Sequence, residues 1–364
     1  MAVYNFSAGP AALPAEVMKK AQAEFCDFMG TGSGVLELSH RGPQFSEVIK
    51  KTEANIRELM NISDDYEVLF IQGGASMQFA MTPMNLMSRE EGAFAEFADT
   101  GMWSAKAMKE AKLFGDVKVI ASSKDTNYDN VPPVRRWKLT AGASYLHITT
   151  NNTVAGTQYH VLPTLEDLNG TPLIADMSSD IMSSVINVND FAMIYAGAQK
   201  NLGPSGVALV IIRKDLVERT PEGTPSMLRY DTYAKSGSMF NTPPTFAIYM
   251  LGLVTDWMKE KGGIKVIEEI NMAKSEALYE TIDGTDFYTS PVKPGSRSRM
   301  NVVFRLPSEE LEAKFLKEAA ERGMTGLKGH RAVGGIRASI YNAMPLAGVE
   351  ALVDFMNEFE KNNS

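Results

Sequence analysis

Two charged residues stand among small and apolar neighbours in this chain, and their order suggests shared chemistry. Asp176 closes the apolar run of "PLIADMSS", and Lys200, twenty-four positions on, follows "IYAGAQ" and precedes "NLGPSG". A carboxylate at the carboxyl end of a parallel strand lies where open α/β sheets bind ligands. Taken alone, Asp176 reads equally well as a helix N-cap. A lysine in apolar surroundings loses proton affinity and becomes a nucleophilic neutral amine, whereas an exposed lysine does nothing of the kind. A third element is "FIQGGASMQF", an apolar strand running through a glycine turn into a helix. Free N–H groups at such a helix start favour phosphate, although an ordinary strand-to-helix turn has the same pattern. It is neither a P-loop nor a dinucleotide fingerprint. A phosphate cup, a carboxylate for a pyridinium nitrogen and a lysine for an imine together describe a pyridoxal phosphate site.

These residues need a scaffold that gathers strand ends. Strand candidates are "EVLFIQ", "GAFAEFADTG", "VKVIAS", "SYLHIT", "PLIADMS", "AMIYA" and "GVALVII", several separated by helical stretches. Apolar strands alternating with helices predict a mostly parallel seven-stranded sheet sandwiched by helices. Before it, Pro14 opens a helical stretch to about Met29, and Val48, Ile49, Ile56, Leu59 and Met60 mark an amphipathic helix. After it, residues 220–245 are rich in Pro, Gly, Ser and Thr, and one long helical pattern runs from Thr245 to about Ile282. "MNVVFRL", a helix at 308–322, "GGIRASIYN" and a closing helix predict a smaller C-terminal α/β domain. The expected division is an arm at 1–16, a large domain at 17–255 and a small domain at 256–364, with the N-terminal segment packing on the small domain.

The chain has 364 residues, 44% hydrophobic and 22% charged, with a net charge of −8. No long basic run invites nucleic acid or an anionic membrane, so an anionic substrate requires a local cluster of cations. The lone Cys26 forms no internal disulfide; it sits in a helical pattern and is expected to be buried. No charged-then-apolar leader opens the chain and no apolar run is long enough to span a bilayer, so a cytoplasmic location is expected. The four histidines show no metal-ligand spacing, and no metal is expected.

The chain resembles the phosphoserine aminotransferase family, fold-type I class V enzymes that use pyridoxal 5'-phosphate, over nearly its full length. "AGAQKNLGP", "GSMFNTPPT" and "GHRAVGGIRAS" carry the resemblance most specifically, with "NFSAGPAALP", "ELSHRG", "FIQGGAS" and "RSRMNVVF" in support. It implies transamination between L-glutamate and 3-phosphohydroxypyruvate in serine biosynthesis, with the phosphorylated threonine analogue of vitamin B6 synthesis as a further substrate. It also implies catalytic roles for Lys200, Asp176 and Trp103: the imine-forming lysine, the partner of the pyridine nitrogen and the stacking aromatic. Ala75, Ser76 and Gln199 would hold the cofactor phosphate and Thr153 would lie near its 3'-oxygen. Asn241 and Thr242 would reach the phosphate from the second subunit of a homodimer with shared sites. Arg337 would take the α-carboxylate. His40 and Arg41, with His330 and Arg331 from the partner subunit, would clamp the distal anion. Some members of the family carry arginine where this chain has Ser76, and some carry serine at Ala8.

Two other readings compete. One keeps the cofactor in an alanine–glyoxylate type aminotransferase or a desulfurase; the two His-Arg pairs and the position of Cys26 argue against these. The other is a non-catalytic phosphate-binding protein in which Lys200 only neutralises charge.

Overall fold

The computed structural model describes residues 3–87 and 89–364. Along the chain, β1 (Tyr4–Asn5), α1 (Ala15–Glu24) and α2 (Pro43–Met60) precede the alternating region. That region comprises β2 (Tyr66–Gln72), α3 (Gly74–Leu86), β3 (Phe94–Asp99), α4 (Met102–Ala111), β4 (Asp116–Ser122) and β5 (Leu146–Thr149). It continues through the short pair β6 (Asn151–Asn152) and β7 (Thr157–Gln158), then β8 (Leu173–Asp176), β9 (Met193–Gly197) and β10 (Val207–Arg213). Then come α5 (Lys214–Val217), α6 (Tyr230–Lys235), α7 (Thr245–Glu260) and α8 (Ile264–Asp283). The chain closes with β11 (Asn301–Phe304), α9 (Glu309–Glu321), β12 (Met324–Thr325), β13 (Ile336–Ser339) and α10 (Leu346–Asn363).

Seven strands form one sheet in the order β2-β10-β9-β8-β5-β3-β4, and only β10 runs against its neighbours. The strands read as continuous apolar runs because both faces are covered. Val68, Phe70, Leu209 and Ile211 turn toward α2 and α7; Leu69, Ile71, Val210 and Ile212 turn toward α3, α4 and α6. The parallel strands bring their carboxyl ends to one edge. Asp99, Thr149 and Asp176 all lie at that edge, as do the turns leading to Gly73 and Lys200.

Three sequence expectations change here. The helical pattern of 245–282 is two helices, because Gly262 and Gly263 take φ of +105° and +83°, where a right-handed helix cannot continue. The helix opened by Pro14 ends at Glu24, and Cys26 lies beyond it on the surface instead of in the core. The expected domain boundary at 255/256 falls inside α7. Trp257, Met258, Ile264 and Ile267 still pack with the large sheet, and from Leu278 the apolar residues of α8 join a second core with Phe304, Phe315 and Phe355. Packing therefore changes hands along α8. Phe6 belongs to that second core and β1 pairs with β12, so the N-terminal arm is part of the smaller unit.

Polar bonds tie the smaller unit to the sheet edge. Asn301 of β11 accepts from the Asn151 amide at 2.8 Å, and the Asn342 backbone N–H donates to the Asn201 side chain at 3.0 Å. Lys274 of α8 is fully buried and donates to the carbonyls of Ile340, Tyr341 and Met344 at 2.8–3.1 Å. It fastens the turn that follows β13, the strand bearing Arg337.

Candidate active site

A cleft at the carboxyl edge of the sheet is lined by Gly73, Ala75, Ser76, Trp103, Asp176 and Lys200, with Gln199, Ser178 and Gly206 among the other walls. Lys200 follows β9 in a turn of small residues. Its Nζ donates to Thr153 Oγ1 at 2.7 Å and stands 5.8 Å from the centre of the Trp103 ring. Burial pulls its pKa down to about 8; Asp176 and Asp180 hold it up, and Arg337 pushes it down further. Asp176 is 4% exposed, and burial raises its pKa against the hydrogen bonds from Ser178. Burial thus moves amine and carboxyl toward their neutral forms more than their mutual attraction moves them apart. Opposed titratable groups displaced in one cleft mark functional sites.

The amine can be tested directly. In the cofactor-free chain, acylation of Lys200 is expected to rise through pH 8 and level off, because the neutral fraction follows the depressed pKa. An ordinary exposed lysine is half-neutral near 10.4. Mass-spectrometric mapping at a series of pH values reads both in one sample, and half-maximal labelling of Lys200 near pH 10 would contradict this account.

Asp176 is aimed by Ser178, whose backbone N–H (3.0 Å) and hydroxyl (2.6 Å) both donate to Oδ1. The Ser178 hydroxyl in turn accepts from the Gly197 N–H at 3.1 Å. The second Asp176 oxygen makes no hydrogen bond among the described residues. Ser178 was not singled out from sequence, yet Asp-x-Ser is the pattern in which an aspartate bonds the backbone two residues on. Asp180 was also missed. It accepts from the hydroxyl of Thr150 (2.6 Å) and the amide of Gln158 (3.3 Å), and burial pushes its pKa up to about 7.

At the other end of the cleft, Gly73 caps α3 with φ +87°; a β-carbon there would meet Met77 Cβ at 2.7 Å. The next residues begin α3 with backbone N–H groups that have no partner within the helix. The residues present therefore fit pyridoxal phosphate on their own chemistry: an anion cup at a helix start, a fixed carboxylate with one uncommitted oxygen, and an amine shifted toward neutrality. A buried carboxylate without an ion-pair partner calls for a cationic donor.

Arg337 on β13 extends the site. Its Nη1 donates to the Thr153 carbonyl at 3.2 Å, while its Nε is buried without a partner. Partial burial lowers the pKa of His330, and the charges of Arg337, Arg331 and Lys106 that it faces lower it further. Within their own chain, the charges of Arg331 and Arg337 both reach His330. The chain does not bring the remaining expected residues to this cleft. His40 is half-buried with Nε2 unpartnered, Arg41 and Thr242 are exposed, and Asn241 accepts from the Gln72 amide at 3.1 Å.

Comparison with known proteins decides the family. The family model "Aminotransferase class-V" matches residues 3–352. The chain belongs to the class-V aminotransferases. It is 54% identical to the phosphoserine aminotransferase of Desulfotalea psychrophila over 99% of this chain and 98% of that protein. The solved phosphoserine aminotransferase from Bacillus circulans subsp. alkalophilus superposes with a TM-score of 0.96 at 50% identity, covering 100% of this chain and 99% of that one. The pyridoxal-phosphate-bound enzyme from Trichomonas vaginalis superposes at 0.91 with 37% identity, covering 98% and 100%. The sheet and its covering helices are those of a class-V aminotransferase.

Proposed function

We propose that this chain exchanges an amino group between L-glutamate and 3-phosphohydroxypyruvate, giving O-phospho-L-serine and 2-oxoglutarate for serine biosynthesis. The carrying observation is Thr153, which holds Lys200 Nζ on its hydroxyl and Arg337 on its carbonyl. One residue so spaces the amine that moves the proton from the guanidinium that holds the α-carboxylate. Pyridoxal 5'-phosphate is the cofactor; when bound, it supplies the electron sink for the substrate's Cα–H electrons. Lys200 would hold it, and its amine, shifted toward neutrality, would take the proton from the substrate α-carbon. Asp176 would keep a proton on the ring nitrogen. Trp103 would cover the ring and keep water from the α-carbon. Ala75, Ser76 and Gln199 would hold the phosphate. Arg337 would donate to the α-carboxylate as a bidentate fork, using the Nε that lacks a partner.

Asn241, Thr242, His40 and Arg41 lie outside the chain's own cleft, and Phe240 beside Asn241 is 50% exposed. These observations support a homodimer in which the two subunits share sites; the cytoplasm is the location we propose for it. His330 and Arg331 complete the distal clamp. The phosphorylated threonine analogue has the same two anionic ends and fits the same clamp.

The holoenzyme is expected to be yellow, to bleach with L-glutamate and to regain colour with 3-phosphohydroxypyruvate, sedimenting at about twice the 39.9 kDa chain mass. A colourless protein, or one bleached by L-alanine but not by glutamate, would rule the reading out.

A further inference from the structure

Around the mouth of the cleft the cations outnumber what the cofactor and an α-carboxylate require. A second cavity of about 670 Å³ opens beside the cleft. One wall is the start of α4 (Gly101, Met102, Trp103) and another is the turn at Ala332 and Val333. That turn is built on His330, whose carbonyl accepts from Val333 N–H at 2.9 Å and Gly334 N–H at 2.8 Å, and Arg305 pins it by donating to the Val333 carbonyl at 2.8 Å. Lys106 stands one turn along α4 from Trp103, with its Nζ 4.4 Å from the indole centre. It also belongs to the set of charges that His330 faces.

Among the described residues, no carboxylate lies within ion-pair distance of Lys106, Arg331 or Arg337. Glu110 follows Lys106 by one helical turn, where an ion pair is geometrically available, and none forms. Asp129, on the wall of the same cavity, is taken by Lys293 at 3.1 Å. Gathering Lys106, His330, Arg331 and Arg337 without counter-charge raises the local potential, and such a site favours an anion of high charge.

We propose that Lys106 is a specificity-determining residue that favours the phosphorylated amino acid over glutamate by adding a cation to the distal end of the site. The inference rests on the function proposed above and deepens it. A phosphate near neutral pH carries close to two negative charges where a carboxylate carries one. A point charge therefore attracts it about twice as strongly at equal distance. Ser76 supplies no charge toward that end. Trp103 holds the Lys106 ammonium by cation–π contact, so the charge is placed without an ion pair that substrate would have to break.

The test compares two substrates in the holoenzyme. Lys106→Gln is expected to raise KM for O-phospho-L-serine about 5- to 10-fold, to change KM for L-glutamate less than about 2-fold, and to leave kcat within about 2-fold. Lys106→Arg is expected to restore most of the phosphoserine KM. Inorganic phosphate should inhibit Lys106→Gln more weakly than the wild type, against glutamate as substrate. Equal rises for both substrates, an unchanged phosphoserine KM, or failure of arginine to restore it would each overturn the role of Lys106. A wild-type enzyme that transaminates glutamate but ignores phosphoserine would overturn the substrate reading beneath it as well.

Discussion

Lys200→Ala is expected to abolish transamination, lowering kcat by at least about 10⁴-fold, because one amine serves both as covalent anchor and as proton carrier. Residues that act as a unit with their substrate are not replaced by binding alone. The substitution removes one hydrogen bond, from Nζ to Thr153 Oγ1, and leaves a small gap open to the cleft. The fold should survive, so circular dichroism and sedimentation are expected to match the wild type. The variant should still bind the cofactor through the cup at the start of α3, but without its yellow imine colour. Single-turnover measurement of 2-oxoglutarate release is the direct readout. If the variant kept turnover within about 10-fold of the wild type, the proton carrier would lie elsewhere.

Asp176→Asn is expected to cost about 10²- to 10³-fold in kcat, the scale of losing one aimed electrostatic partner. Asparagine has nearly the same shape, and its Oδ1 can still accept from Ser178. The lost quantity is the negative charge that keeps a proton on the ring nitrogen. The same substitution has an opposite effect on the empty fold. Burial raises the Asp176 pKa in the folded chain. The folded state then holds a proton that the unfolded state has released, so this group's contribution to stability falls as pH rises from the unfolded value through the folded one. At neutral pH the cofactor-free wild type therefore bears a penalty that Asp176→Asn lacks. The cofactor-free variant is expected to melt no lower than the wild type, while the loaded variant gains less on adding cofactor. Thermal melts with and without cofactor distinguish this from a merely structural aspartate, whose loss would lower both.

The scaffold was legible because strands covered on both faces become apolar runs, and each strand of the large sheet overlaps one of those expected, overrunning it by at most one residue. Asp176, Lys200 and the glycine turn were legible for a related reason: a polar residue at the end of an apolar strand has few structural uses. Ser178 was readable in principle from Asp-x-Ser. The break at Gly262–Gly263 was not, because the apolar spacing continues on both sides of it. Cys26 was misread because the apolar residues around it follow helical spacing past the point where the helix stops.

The sequence by itself determined the strand-end residues, the apolar faces that build the sheet, and the resemblance that named the cofactor. Those are local properties, carried by residue type and spacing. Only the tertiary structure decided that Thr153 bridges Lys200 and Arg337 and that the smaller core begins along α8. Each of these joins residues on different elements: Thr153 and Arg337 are separated by 184 positions. No periodicity or motif reports a contact across that span, because side-chain distance there is set by how the second core docks on the sheet edge.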